Sequence, residues 1–152
     1  METVDQPKVR FKTFTYKTNV KWEERRSGTL ASDGKPALRV ASPPEFKGEA
    51  GVWTPEDLFV AAVEICQMTT FLAYAERKQL QVISYQSHAN GVLEYINGDY
   101  RFTRIVLFPT VVIANSASED EAHRLLDEAH KHCLVANSIE SIVEVNPTII
   151  IQ

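Results

Sequence analysis

The stretch Thr54-Pro55-Glu56-Asp57, followed by LFVAAVEICQMTTF, constrains this chain more than any other part of it. Thr54 can accept from free backbone N–H groups at a helix start, and Pro55 suits the first helical position. The two acids favour the positive end of the helix dipole. The helix they open is apolar over most of its circumference from Leu58 to Phe71, turning polar only at Glu76-Arg77-Lys78. A helix apolar nearly all round has to be buried on more than one side. A chain of 152 residues has little material to wrap it, so a partner copy is expected.

Around this helix the pattern is mostly β. Val9-Arg10-Phe11-Lys12 and Asn19-Val20-Lys21-Trp22 alternate apolar with polar, and Ala37 to Val40 is a third short candidate. Ser27-Gly28 and Ser32-Asp33-Gly34 read as the turns between them. Residues 41–52, with two prolines and two glycines, read as a loop. Gln81 to Ile96 and Tyr100 to Ile113 flank Asn97-Gly98-Asp99, which has hairpin chemistry. Ser118 with Glu121 has capping-box spacing. The helix that follows puts Ala122, Leu125, Leu126, Ala129 and Cys133 on one stripe. A last strand is expected from about Ile142 to Ile151. Strands and helices in separate blocks indicate an α+β fold, with residues 1–152 as a single domain.

Composition excludes several functions. A net charge of -4 gives no basic face for nucleic acid. The N-terminus METVDQPKVRFKTF has no signal-like apolar stretch, and IVLFPTVVIA is too short to span a bilayer and is broken by Pro109. The chain therefore reads as cytoplasmic, without a membrane partner. In a reducing compartment its two cysteines, Cys66 and Cys133, point to thiol chemistry more than to a permanent crosslink. Two thiols that merely pack remain the alternative. His123, His130, His132 and Cys133 do not make a metal set: His130 and His132 lie on different helix faces, and no second cluster supplies ligands. No phosphate loop, nucleophile elbow or HExxH motif is present in the sequence.

The residues also carry a family resemblance. Pro55-Glu56-Asp57-Leu58-Phe59-Val60-Ala61-Ala62, running on to Cys66, resembles the first-cysteine helix of the OsmC/Ohr family of osmotically inducible and organic hydroperoxide resistance proteins. His132-Cys133 with Val135-Ala136-Asn137-Ser138 resembles its second-cysteine segment. Val20-Lys21-Trp22, Gly28 and Pro43-Pro44-Glu45-Phe46-Lys47-Gly48 are similar to the broader OsmC-like group. The resemblance implies an intertwined α+β homodimer that reduces hydroperoxides, organic ones favoured, with an external dithiol reductant and no cofactor. It implies that Cys66 is the peroxidatic cysteine, Cys133 the resolving cysteine, and Glu56 the acid that orients an active-site arginine. In one branch that arginine precedes the first helix, where this chain reads Pro44-Glu45-Phe46. In the other it lies in the N-terminal hairpin, so it is assigned to Arg26 or its neighbour Arg25. Leu134 stands where the family usually has proline, and Ala136 where it usually has serine. A non-catalytic dimer that binds a small apolar ligand or senses redox state is the other reading.

Elementary chemistry agrees with these roles. A peroxidatic sulfur must be a thiolate, so something must lower its pKa. Cys66 lies too far into its helix for the N-terminal dipole, and a guanidinium is the expected remedy. Cys133 lies at a helix C-terminus, where the dipole disfavours a thiolate. Glu56 and Cys66, ten residues apart on one helix, are separated by roughly 15 Å. They do not easily share a site within one subunit. If Glu56 acts on Cys66, the expected arrangement is two antiparallel helices, one from each subunit, that bring Glu56 of one chain to Cys66 of the other.

Overall fold

The computed structural model describes residues 12–152 and divides at Thr54/Pro55 into two compact units. The strand expected at Val9–Lys12 falls mostly outside the described residues. In the N-terminal unit, β1 (Asn19–Glu24), β2 (Ser27–Ala31) and β3 (Leu38–Ala41) form an antiparallel meander. Ser27-Gly28 is not the turn the sequence suggested but the start of β2, with Glu24 paired to Ser27. The chain reverses at Arg25, which adopts a left-handed φ of 47°, and at Arg26. Gly28 is required by close packing: a Cβ there would lie 2.3 Å from the Lys21 carbonyl oxygen. The turn at Ser32-Asp33-Gly34 forms as expected, with Gly34 at φ 74°. Beyond β3 the chain is irregular apart from one 3-10 turn at Pro44–Phe46.

The C-terminal unit opens with α1 (Pro55–Arg77), which starts where the capping signals place it. By length and composition alone this helix is apolar enough to cross a membrane, yet Val63, Gln67, Phe71 and Ala75 are packed inside the protein. A long hairpin follows, β4 (Val82–Ile96) and β5 (Asp99–Ile113). Asn97 and Gly98 make its two-residue turn with φ of 54° and 88°, the doubly left-handed geometry that Asn-Gly favours. Ile105, Leu107, Pro109, Val111 and Ile113 alternate along β5 and are all buried, giving the sheet one core face.

α2 (Glu119–Lys131) lays Ala122, Leu125, Leu126 and Ala129 against Phe71, Ala75, Val111 and Ile113. The expected capping box does not form. Asn115 accepts from the Ala117 N–H at 2.9 Å and opens a 3-10 turn that leads into α2, while Glu121 pairs with Arg124 at 2.8 Å. The single C-terminal strand expected from the sequence is two, β6 (Ile142–Val145) and β7 (Thr148–Ile151). Both run parallel to β5, one after the other along its length, and Asn146-Pro147 separates them. Pro147 has no N–H to give a ladder, so the strand breaks there.

Candidate active site

Cys66 sits on the buried side of α1 between Val63 and Gln67. Gln67 fixes the helix against its neighbour by donating from Nε2 to the Leu126 carbonyl of α2 at 3.1 Å, in the protein interior. Cys133 follows the C-cap residue His132, two residues beyond the end of α2. Its carbonyl accepts from the Asn137 N–H at 3.0 Å, so residues 133–137 form a new helical turn directly after α2. Val135, Ala136 and Ile139 pack on Val63, Ile105 and Leu107. That packing seats the turn beside Cys66.

The two thiols therefore meet within one unit, both as free cysteines. Burial pushes the Cys66 thiol up, but hydrogen bonds outweigh it and leave the pKa below the ordinary value. The donors are the Val135 N–H, the Cys133 thiol, the Thr70 hydroxyl and the Leu134 N–H. Cys133 moves the other way, up to about 11. Burial is the main cause, and its hydrogen bond to Cys66 and the charge there add to it, against the Ala136 and Val135 N–H groups. Cys66 is the sulfur disposed to ionise, and Cys133 holds its proton and donates toward it. Cys66 also keeps 9% of its surface against 1% for Cys133, so a reagent arriving from solvent meets Cys66 first.

Glu56, Arg25 and Arg26 are not among the groups that shift the Cys66 thiol. Glu56 lies in the first turn of α1, and its Oε2 is buried with no hydrogen-bond partner among the described residues. Arg25 and Arg26 occupy the β1–β2 hairpin turn in the other unit, where Arg26 donates from Nη1 to the Phe46 carbonyl at 2.5 Å. Within the C-terminal unit, backbone amides, a hydroxyl and the second thiol lower the Cys66 pKa. Sequence reasoning missed Leu134, Val135 and Thr70. Leu134 carried a signal, because a residue other than proline has an N–H to donate.

The fold and the paired sulfurs define an α+β protein with a buried dithiol site. Residues 48–148 match the family model described as OsmC-like protein, and the chain belongs to that family. A Bacillus subtilis (strain 168) protein described as uncharacterized, YmaD, is 27% identical over 86% of this chain and 89% of its own length. An OsmC-like protein of unknown function from Vibrio cholerae superimposes with a TM-score of 0.82 at 25% identity, covering 89% of this chain and 99% of that one. An organic hydroperoxide resistance protein from Legionella pneumophila shares the fold with a TM-score of 0.72 at 22% identity, covering 92% of this chain and 99% of that one.

Proposed function

We propose that this OsmC-like protein is a two-cysteine thiol peroxidase that reduces hydroperoxides, organic ones in preference. The observation that carries this reading is the neighbouring pair of sulfurs with pKa values pushed in opposite directions. The Cys66 thiolate attacks one peroxide oxygen and the O–O bond breaks. The other oxygen leaves as alkoxide and takes a proton to become an alcohol, while Cys66 is oxidised by two electrons to a sulfenic acid. Cys133 then loses its proton and attacks the Cys66 sulfur, forming a disulfide and expelling hydroxide, which leaves as water. An external dithiol reduces the disulfide and returns both thiols. Cys133 suits the second step because a protonated neighbour does not compete for the peroxide. Related folds that include organic hydroperoxide resistance proteins are consistent with this chemistry.

In the same reading the protein works as a homodimer. Glu56 of one subunit approaches Cys66 of the other, and Arg26 or Arg25 supplies the cation that Glu56 orients.

Turnover of an alkyl hydroperoxide and of hydrogen peroxide with a dithiol reductant tests the reading. Wild type should consume the alkyl hydroperoxide faster. Cys66→Ser should be inert, and Cys133→Ser should consume one equivalent and stall as the sulfenic acid or over-oxidise. Wild type inert toward both peroxides, or Cys66→Ser as active as wild type, overturns it.

A further inference from the structure

Two adjacent threonines on α1 treat their hydroxyls differently. Inside a helix the default for a threonine hydroxyl is a carbonyl one turn back. Thr69 follows it, donating to the Ile65 carbonyl at 3.1 Å and the Cys66 carbonyl at 3.2 Å. Thr70 does not: its Oγ1 lies 3.9 Å from Cys66 Sγ, within reach of a hydrogen bond to sulfur. Positions 66 and 70 are one turn apart on the same helix face, so the side chains stack. A β-branched side chain in a helix is stiff at χ1, which holds the hydroxyl in place.

The other groups that donate to Cys66 are Cys133 and the amides of Leu134 and Val135, all in the turn that carries the second thiol. Cys133 and both amides belong to one segment, so any movement of Cys133 toward Cys66 involves the same turn. Thr70 is carried by the same helix as Cys66 and is independent of that movement. A hydroxyl can donate to a thiolate and accept from a thiol, so one contact serves both protonation states.

We propose that Thr70 is a positioning residue whose hydroxyl holds and stabilises the Cys66 sulfur for attack, independently of the resolving segment. This rests on the reading of Cys66 as the attacking sulfur. The role belongs to the hydroxyl and not to the bulk of the side chain, so valine, which keeps the shape, removes it and serine restores it.

The test is made in the Cys133→Ser protein, where Cys66 is the one thiol that titrates. Its ionisation is followed by thiolate ultraviolet absorbance and by the pH profile of iodoacetamide alkylation. Thr70→Val should raise the Cys66 pKa and slow alkylation at neutral pH by roughly three- to tenfold, the range a single net hydrogen bond spans. Thr70→Ser should titrate as the parent, and Thr69→Val, which deletes a carbonyl-bound hydroxyl, should leave the profile unchanged. If Thr70→Val does not fold, Thr70→Ala compared with Thr70→Ser reads the same quantity. A valine or alanine variant that titrates as the parent overturns the proposal, and so does a Thr69→Val shift of equal size. Peroxide turnover of the wild type is measured alongside. Inert wild type with the Thr70→Val shift intact removes the peroxidase and leaves Thr70 in its role. Active wild type with no such shift does the reverse.

Discussion

Leu134 directs an N–H toward Cys66 from a position where the family usually has proline, which has none to give. Its side chain is 70% exposed, so its contribution lies in the backbone and not in packing. Leu134→Pro should therefore raise the Cys66 pKa and slow its alkylation at neutral pH, while Leu134→Ala, which keeps the N–H, should match wild type. Alkylation profiles of the two variants decide the point, and equal profiles would remove the amide from the site. Tyr85 behaves differently: its hydroxyl is buried without a hydrogen-bond partner among the described residues, and burial, then the Glu64 carboxylate, pushes its pKa up to about 12. A raised folded-state pKa means the folded protein keeps a proton that the unfolded chain loses, so stability falls as pH rises from about 10 toward 12. The effect should be about 1 kcal/mol, because solvent partly reaches the ring. Tyr85→Phe should be no less stable than wild type at neutral pH and should lose less stability over that range, read from urea unfolding at each pH.

Between elements, one hydrogen bond sets the register of the two cysteine-bearing segments. Gln67, next to Cys66, ties α1 to the Leu126 carbonyl of α2, seven residues before Cys133. Gln67→Leu keeps the volume and removes this bond, while the Leu126 carbonyl keeps its place in the α2 helical ladder, so the cost should be about 0.5–1.5 kcal/mol. It should also slow Cys66–Cys133 disulfide formation relative to wild type, measured by loss of free thiols under mild oxidant; an unchanged rate would free the site from this tie. The elements themselves were unevenly legible in the sequence. Thr54-Pro55-Glu56-Asp57 and Asn97-Gly98 mark their boundaries because each residue type there has one strong local preference. Ser27-Gly28 misled because glycine serves equally for a turn and for the close strand contact that its Cβ-free backbone makes with Lys21. Ser118 lost the cap to Asn115, a competition between two capping residues that spacing does not resolve. The paired cysteines were visible, but the amides beside Cys66 belong to a turn whose path depends on Val135, Ala136 and Ile139 docking on β5. Backbone donors placed by tertiary packing leave no pattern in a sequence.

At the scale of the whole molecule, the proposed homodimer is tested at the exposed apolar face of α1. Ala62, Ile65, Thr69 and Leu72 form an exposed stripe at helical spacing, with Ile65 56% and Leu72 37% accessible, on the side away from the buried residues Val63, Gln67 and Phe71. Sedimentation at micromolar concentration should give about twice the 17.1 kDa chain mass. Ile65→Lys together with Leu72→Glu should weaken association by roughly tenfold or more, since burying the two apolar side chains is worth at least 1.4 kcal/mol. Whether the dimer builds the active site is a separate question that mixing subunits answers. If Glu56 acts across the interface, Glu56→Gln and Cys66→Ser subunits are each defective alone. Their mixed dimer then carries one intact site, made from Glu56 of the Cys66→Ser chain and Cys66 of the Glu56→Gln chain. Half the dimers in a random mixture are mixed and each has one working site of two, so activity should recover to about a quarter of wild type. If Glu56 acts within its own chain, or has no part in the chemistry, mixing gives no more than the average of the two parents. The roughly 15 Å that ten helical residues put between Glu56 and Cys66 favours recovery.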